Sequence, residues 1–251
     1  MNAALPVAIG VVALLYASVG HAGATGYIAV MTLFGLAPQA IRPTALVLNV
    51  LVASIATLQF FRAGHFRSRL FLPLAAASVP CAAIGGAIEL PTRTFEAVVG
   101  LVLLASSARI LADARGRQTL PGVDQPEPAE ARPLPIPALA ALGGGIGLLS
   151  GLTGVGGGVF LTPALLLLHA APVKQVAAIT APFILFNSLA GLAGGLVSGR
   201  PLPPVGLPVL AAAALGGALG AQLGAFRLPV RALQLLMAAV LVLAGCKLVG
   251  L

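Results

Sequence analysis

Leu148-Leu149-Ser150-Gly151-Leu152-Thr153-Gly154-Val155-Gly156-Gly157-Gly158-Val159-Phe160-Leu161-Thr162-Pro163 is the stretch on which the fold turns. Apolar sequence runs into it and out of it. Each glycine in a helix interior costs roughly 1 kcal/mol relative to alanine, so Gly154 to Gly158 reads as a break in a hydrophobic segment. Close helix packing uses small residues at every fourth position. That accounts for Gly85-Gly86, Gly191, Gly194-Gly195 and Gly216-Gly217-Gly220, but not for three consecutive glycines at 156–158.

The surroundings explain why the break matters. Of 251 residues, 59% are hydrophobic and only 8% are charged, against about 25% charged in an ordinary soluble domain. Several stretches of about 18 or more residues carry no charge, the signature of membrane-spanning helices. The net charge of +8 sits in short joints between apolar runs. It therefore reads as membrane topology, and no basic, aromatic-interleaved surface for nucleic acid exists. Cys81 and Cys246 lie in separate apolar segments and read as inert buried thiols. No metal-ligand spacing and no cofactor motif occurs. Met1 to Leu5 carries no Lys or Arg, so the first apolar segment is expected to stay as part of the protein rather than be cleaved as a signal.

Working outward, the chain reads as an all-α membrane protein of two repeats. Residues 1–112 form the first, 113–135 a charged, proline-rich linker, and 136–251 the second. In the first, Leu5–Val19 and Tyr27–Leu36 flank an interruption, Gly20-His21-Ala22-Gly23-Ala24-Thr25-Gly26; spans at 44–61, 70–90 and 95–110 follow. In the second, Ala171-Pro172 repeats Ala37-Pro38 at an offset of 134, and Leu228-Pro229 repeats Leu90-Pro91 at 138. Such register argues for internal duplication. It sets the first interruption opposite Gly154 to Gly158. Matching interruptions in two repeats are the sequence signature of a secondary transporter's binding site.

Each broken element is about 30 residues long, too long for one straight crossing of about 20. It either crosses once with a kink, giving parallel halves, or folds back as a hairpin, giving inverted halves. In the second case Arg62, Arg67, Arg69, Arg109, Arg115, Arg117, Arg132, Lys174, Arg227 and Arg231 fall on one side, against Arg42, Arg93, Arg200 and Lys247 on the other. The positive-inside rule favours this arrangement by one residue over the parallel one, and puts the linker in the cytoplasm.

A break at membrane depth must line a cavity, because an unpaired backbone group there costs several kcal/mol. The residue after the break starts a half-helix whose first N–H groups are unpaired and carry the positive end of the dipole. Glycines let an anion approach them. Two such half-helices facing a common midplane site select a small anion without a buried lysine or arginine. The candidate substrate-binding residues are Gly20, His21, Gly23, Ala24, Thr25 and Asn49 in the first half, and Thr153, Gly154, Gly156, Gly157, Gly158, Thr180 and Asn187 in the second. Asn49 and Asn187 lie in otherwise apolar spans, where an amide needs a partner; a helix–helix hydrogen bond is the alternative use. His21 reads as an anion donor, a proton carrier or a structural donor to a carbonyl. A passive anion or small-solute channel is the alternative that the same breaks can build. An intramembrane enzyme is disfavoured, since no paired catalytic groups occur at membrane depth.

The motif Gly151-Leu152 through Gly154-Val155-Gly156-Gly157-Gly158 to Pro163, followed by a short apolar run and a span with Thr180, resembles the TauE/SafE (TSUP) family. The resemblance covers essentially the full chain. It implies transport of a small sulfur-containing anion (sulfite, thiosulfate or a sulfonate) by alternating access across a prokaryotic cytoplasmic membrane. Protons as coupling ion fit this reading. The first half departs from the motif, with His21, Ala22 and Ala24 in place of glycines.

Overall fold

The computed structural model describes residues 4–18, 21–62, 64, 66–116, 134–168, 170–171 and 173–225, with isolated positions 242, 246 and 249. Gly20, His65, His169 and Pro172 fall outside the described residues, as do 117–133 of the linker and nearly all of the last expected span. Among the described residues every regular element is a helix. They are α1 (Ala4–Ser18), α2 (Ala24–Leu33), α3 (Pro38–Arg62), α4 (Ser68–Ala87), α5 (Thr92–Gly116), α6 (Ile136–Thr153), α7 (Gly158–Leu167), α8 (Val173–Val197) and α9 (Leu207–Ala225). Four are long and apolar enough to cross a bilayer: Gln39–Arg62, Ser68–Ala87, Ile136–Thr153 and Gln175–Val197. Large apolar side chains cover the outside: Val7, Leu72, Leu101, Ile136, Leu207 and Leu215 are all more than 60% exposed, the pattern of a protein solvated by lipid.

Glycines set which helices touch. On α6, Gly143, Gly147 and Gly151 form a stripe at every fourth residue. A Cβ there would lie 2.3, 2.2 and 2.2 Å from the carbonyl oxygens of Leu74, Ser78 and Ala82 on α4. Both sets of numbers rise together, so α4 and α6 run parallel in near backbone contact. The pair α1 and α9 repeats this: a Cβ on Gly216 would overlap the Gly10 carbonyl oxygen, and one on Gly220 that of Leu14. On α4 and α8, Gly86 meets Gly191 and Gly194 meets Ala83. The expected packing glycines are thus used as such, and the α6 stripe joins them.

The two central helices, α3 and α8, run antiparallel. Arg42 lies level with the turn after α8, Leu46 contacts Gly191, and Asn49 bonds to Ser188. The first broken element and α9 pack on α3, with α1 parallel to α9; the second broken element and α4 pack on α8. Beyond the second break, α7 runs back along α8, Gly158 contacting Ile184 and Thr162 bonding to Thr180. Ser78 bonds to Asn187 and Ala87 to Ser198, so α8 runs with α4, as α6 does; α7 runs against α8, and α6 and α7 therefore form a hairpin folded at 154–157.

Candidate functional site

The loop joining α6 to α7 is buried throughout. Gly154, Gly156 and Gly157 have φ of 79°, 79° and 81°, a conformation that costs other residues roughly 1–2 kcal/mol. This is why the second glycine triplet breaks the helix. The triplet Gly143-Gly144-Gly145 stays helical in α6, where its first member packs on α4. The glycines of the break also lack room for a side chain. A Cβ on Gly156 would lie 2.5 Å from Asn49 Nδ2, and one on Gly157 2.9 Å from Ile146 and 3.0 Å from Phe183.

Few of the loop's amides are used. Gly154 N–H donates to Ser150 O at 2.8 Å and Val155 N–H to Thr153 Oγ1 at 3.4 Å. The first turn of α7 closes on Gly157 O, which accepts from Phe160 and Leu161. The N–H groups of Gly156, Gly157, Gly158 and Val159 stand outside this ladder, at the positive end of α7.

Polar side chains from α3, α4, α6 and α8 lie around this turn. Asn49 of α3 donates through Nδ2 to Ser188 Oγ at 3.3 Å, and Asn187 of α8 accepts through Oδ1 from Ser78 Oγ of α4 at 2.7 Å. Each amide thus spends one half on a helix–helix bond. The other half, Asn49 Oδ1 and Asn187 Nδ2, has no partner among the described residues although both residues are 0% exposed. Ser150 Oγ, beside Gly157, is likewise buried without a partner. Thr180 shares a 3.0 Å hydrogen bond with Thr162, and Thr153 folds back on Leu149 O at 2.7 Å. Of the second-half candidates, Gly156, Gly157, Gly158 and Thr180 stand at the start of α7, together with Asn49 from the first half; Asn187 lies one turn along α8 from Ile184 and bonds to Ser78. Thr153 instead shapes the loop. Ser78, Ser150 and Ser188 complete the cluster. Ser78 was missed as a candidate because a serine in an Ala-rich span carries no distinguishing signal.

The first break has neighbours of its own. Gly23, with φ 101°, caps α2 and lies under the Tyr27 ring, whose hydroxyl is buried without a partner. Tyr16 and Thr25 hydroxyls bond at 2.7 Å, and Gly26 packs on Val12 and Tyr16. Ala24 and Thr25 are buried at the start of α2, while His21 is partly exposed and its N–H bonds to Tyr16 O. One buried apolar cluster links the breaks, running from Ala22 and Tyr27 through Ala45 and Leu48 to Val155 and Ile184.

One joint charge is buried beside the loop. Arg42, read from sequence as a joint charge, is only 7% exposed. Its stem packs on Gly154, where a Cβ would lie 3.0 Å from Arg42 Cγ. Its guanidinium donates to Ile88 O at 3.0 Å, Gly85 O at 2.7 Å and Gly86 O at 2.6 Å. No metal-holding group of His, Cys, Asp or Glu occurs among the described residues, and Cys81 and Cys246 are free, partly buried thiols.

A paired set of buried helix breaks inside an apolar helical bundle suits a membrane transporter, and relatives bear on this directly. The family described as "Sulfite exporter TauE/SafE" matches residues 5–248. The chain belongs to the TauE/SafE family. It is 40% identical over 244 residues to the "Probable membrane transporter protein y4hK" of Sinorhizobium fredii (strain NBRC 101917 / NGR234), covering 97% of this chain and 96% of that one. It is 36% identical over 105 residues to the "Probable membrane transporter protein YunE" of Bacillus subtilis (strain 168), covering 41% and 38%. No solved structure matches. This TauE/SafE chain is a multi-pass membrane protein of the transporter class.

Proposed function

We propose that the protein is a secondary transporter of a small sulfur-containing oxyanion of the sulfite, thiosulfate or sulfonate type. The substrate sits at the start of α7. The observation that carries this reading is the set of groups there unpaired among the described residues, the amides of Gly156 to Val159 and Ser150 Oγ, with Asn187 Nδ2 one turn along α8 from Ile184. Preorganised donors in a water-poor site suit an anion. Turning the Asn49 amide over would let Ser188 donate to Oδ1 and add Nδ2 to the set, an exchange that an anion favours. The first break, with Tyr27 at the start of α2, is the counterpart in the other half.

Alternating access follows from inverted halves. The antiparallel α3 and α8 support inversion, as does the matching of α1 on α9 by α6 on α4. The basic loop holding Arg62, Arg67 and Arg69 then faces the cytoplasm of a prokaryotic cell with the linker. Protons serve as the coupling ion.

The test is flux of radiolabelled sulfite in proteoliposomes with and without a pH gradient. Accumulation above equilibrium is expected. Flux that only equilibrates would make the protein a channel, and absence of flux for sulfite, thiosulfate and sulfonates alike would overturn the substrate class.

A further inference from the structure

We propose that Arg42 and Arg200 form a latch that closes the transport path at one membrane face and ties that closure to the second glycine break. The inference rests on the transporter reading for its purpose, but not for its geometry.

A helix leaves its last four carbonyls unpaired; in α4, Ile84 O accepts from Ile88 N–H and the other three accept from side chains elsewhere in the fold. Arg42 of α3 donates to Gly85 O, Gly86 O and Ile88 O. Beyond α8, Arg200 donates to the same Gly86 O, and Ser198 Oγ to Ala87 O at 3.0 Å. Gly85 meets Leu148 O of α6, and Gly86 meets Gly191 of α8. Three helices therefore converge on the end of α4, held by two cations at the negative pole of its dipole. Two like charges sharing one carbonyl repel, and burying a guanidinium is costly. Such an arrangement is stable only while the carbonyls are in place, so it opens as a unit.

The link to the site is Arg42's stem. It covers Gly154, two residues before Gly156 and its contact with Asn49. Moving Arg42 off the α4 carbonyls uncovers the loop that holds the anion. Because this end lies opposite the Arg62–Arg69 loop, the latch faces the cell exterior, and its positive charge draws anions towards the path.

The experiment replaces Cys81 and Cys246 with Ala and introduces Val155→Cys, a position 2% exposed between Gly154 and Gly156. A membrane-impermeant maleimide is added to intact cells without substrate. The latch predicts slow labelling in this background and labelling faster by at least about tenfold when Arg42→Gln or Arg200→Gln is added, given the charge-assisted bonds lost. Arg42→Lys, which keeps the charge but not the three-carbonyl fork, is expected in between. Unchanged labelling in an Arg200→Gln protein of normal thermal stability would overturn the latch, even if sulfite transport is intact. Accelerated labelling with no sulfite flux in the parent would leave the latch standing and remove the substrate assignment.

Discussion

Gly156→Ala is the sharpest single perturbation of the site. At φ +79° an L-residue pays roughly 1–2 kcal/mol. The added methyl would stand 2.5 Å from Asn49 Nδ2, 2.9 Å from Ile184 Cγ2 and 3.3 Å from Ser188 Oγ. Asn49 must withdraw, and its bond to Ser188 is lost at about 1 kcal/mol. The sum, about 2–3 kcal/mol, is below the roughly 5–15 kcal/mol that holds a domain folded, so the variant is expected to insert and purify. The same displacement moves an amide and a side chain of the anion site, so a loss of about 30–150-fold in sulfite flux is expected. Flux in proteoliposomes, normalised to folded protein by size exclusion and thermal unfolding, is the assay. Gly145→Ala on α6 is the control: nothing lies within 4 Å of its Cβ position, and helix propensity gains about 1 kcal/mol. Wild-type flux in folded Gly156→Ala would refute the reasoning.

Gly157→Leu, at φ +81° and against Ile146 and Phe183, is expected to abolish flux while the protein still inserts, as read by flux and membrane fractionation. Asn187→Ala removes the unpaired Nδ2 and strands Ser78 Oγ. A flux loss of more than about tenfold with about 1–3 kcal/mol of destabilisation is expected, whereas Ser78→Ala should mainly lower the thermal midpoint. Gly147→Ala drives a methyl to 2.2 Å from the Ser78 carbonyl oxygen, a backbone atom that cannot step aside. It should destabilise by about 1–3 kcal/mol in thermal unfolding. A reporter within 118–130 is expected to read as cytoplasmic, and reporters near Pro203 and at the C-terminus as external; matching sides would make the halves parallel.

Much of the fold was legible because lipid leaves few choices: long uncharged runs must be helices, and their breaks must be buried in protein. The positions of both breaks follow from that logic; the meeting of Asn49 with the second break does not. Helix direction did not. The charge count separated hairpin from kink by one residue, and the direction appears only in contacts such as Leu46 with Gly191. Glycine triplets were ambiguous too. Gly143-Gly144-Gly145 and Gly156-Gly157-Gly158 look alike in sequence, yet one packs on α4 and the other bends the chain. Arg42 was the largest miss. A cation beside a proline reads as a loop residue, and its burial depends on carbonyls of Gly85, Gly86 and Ile88, more than forty positions away. Ser78 and Ser150 acquire meaning only from neighbours on other helices.

The central claim is that bare amides at the start of α7 hold a sulfur oxyanion. Anomalous diffraction from crystals soaked in selenite, a heavier relative of sulfite, addresses it most directly. A selenium peak within hydrogen-bond reach of the Gly156–Val159 amides and Asn187 Nδ2, lost in Gly156→Ala, is the result expected. A peak elsewhere in the bundle, with that loop empty in protein that transports selenite, would contradict the account.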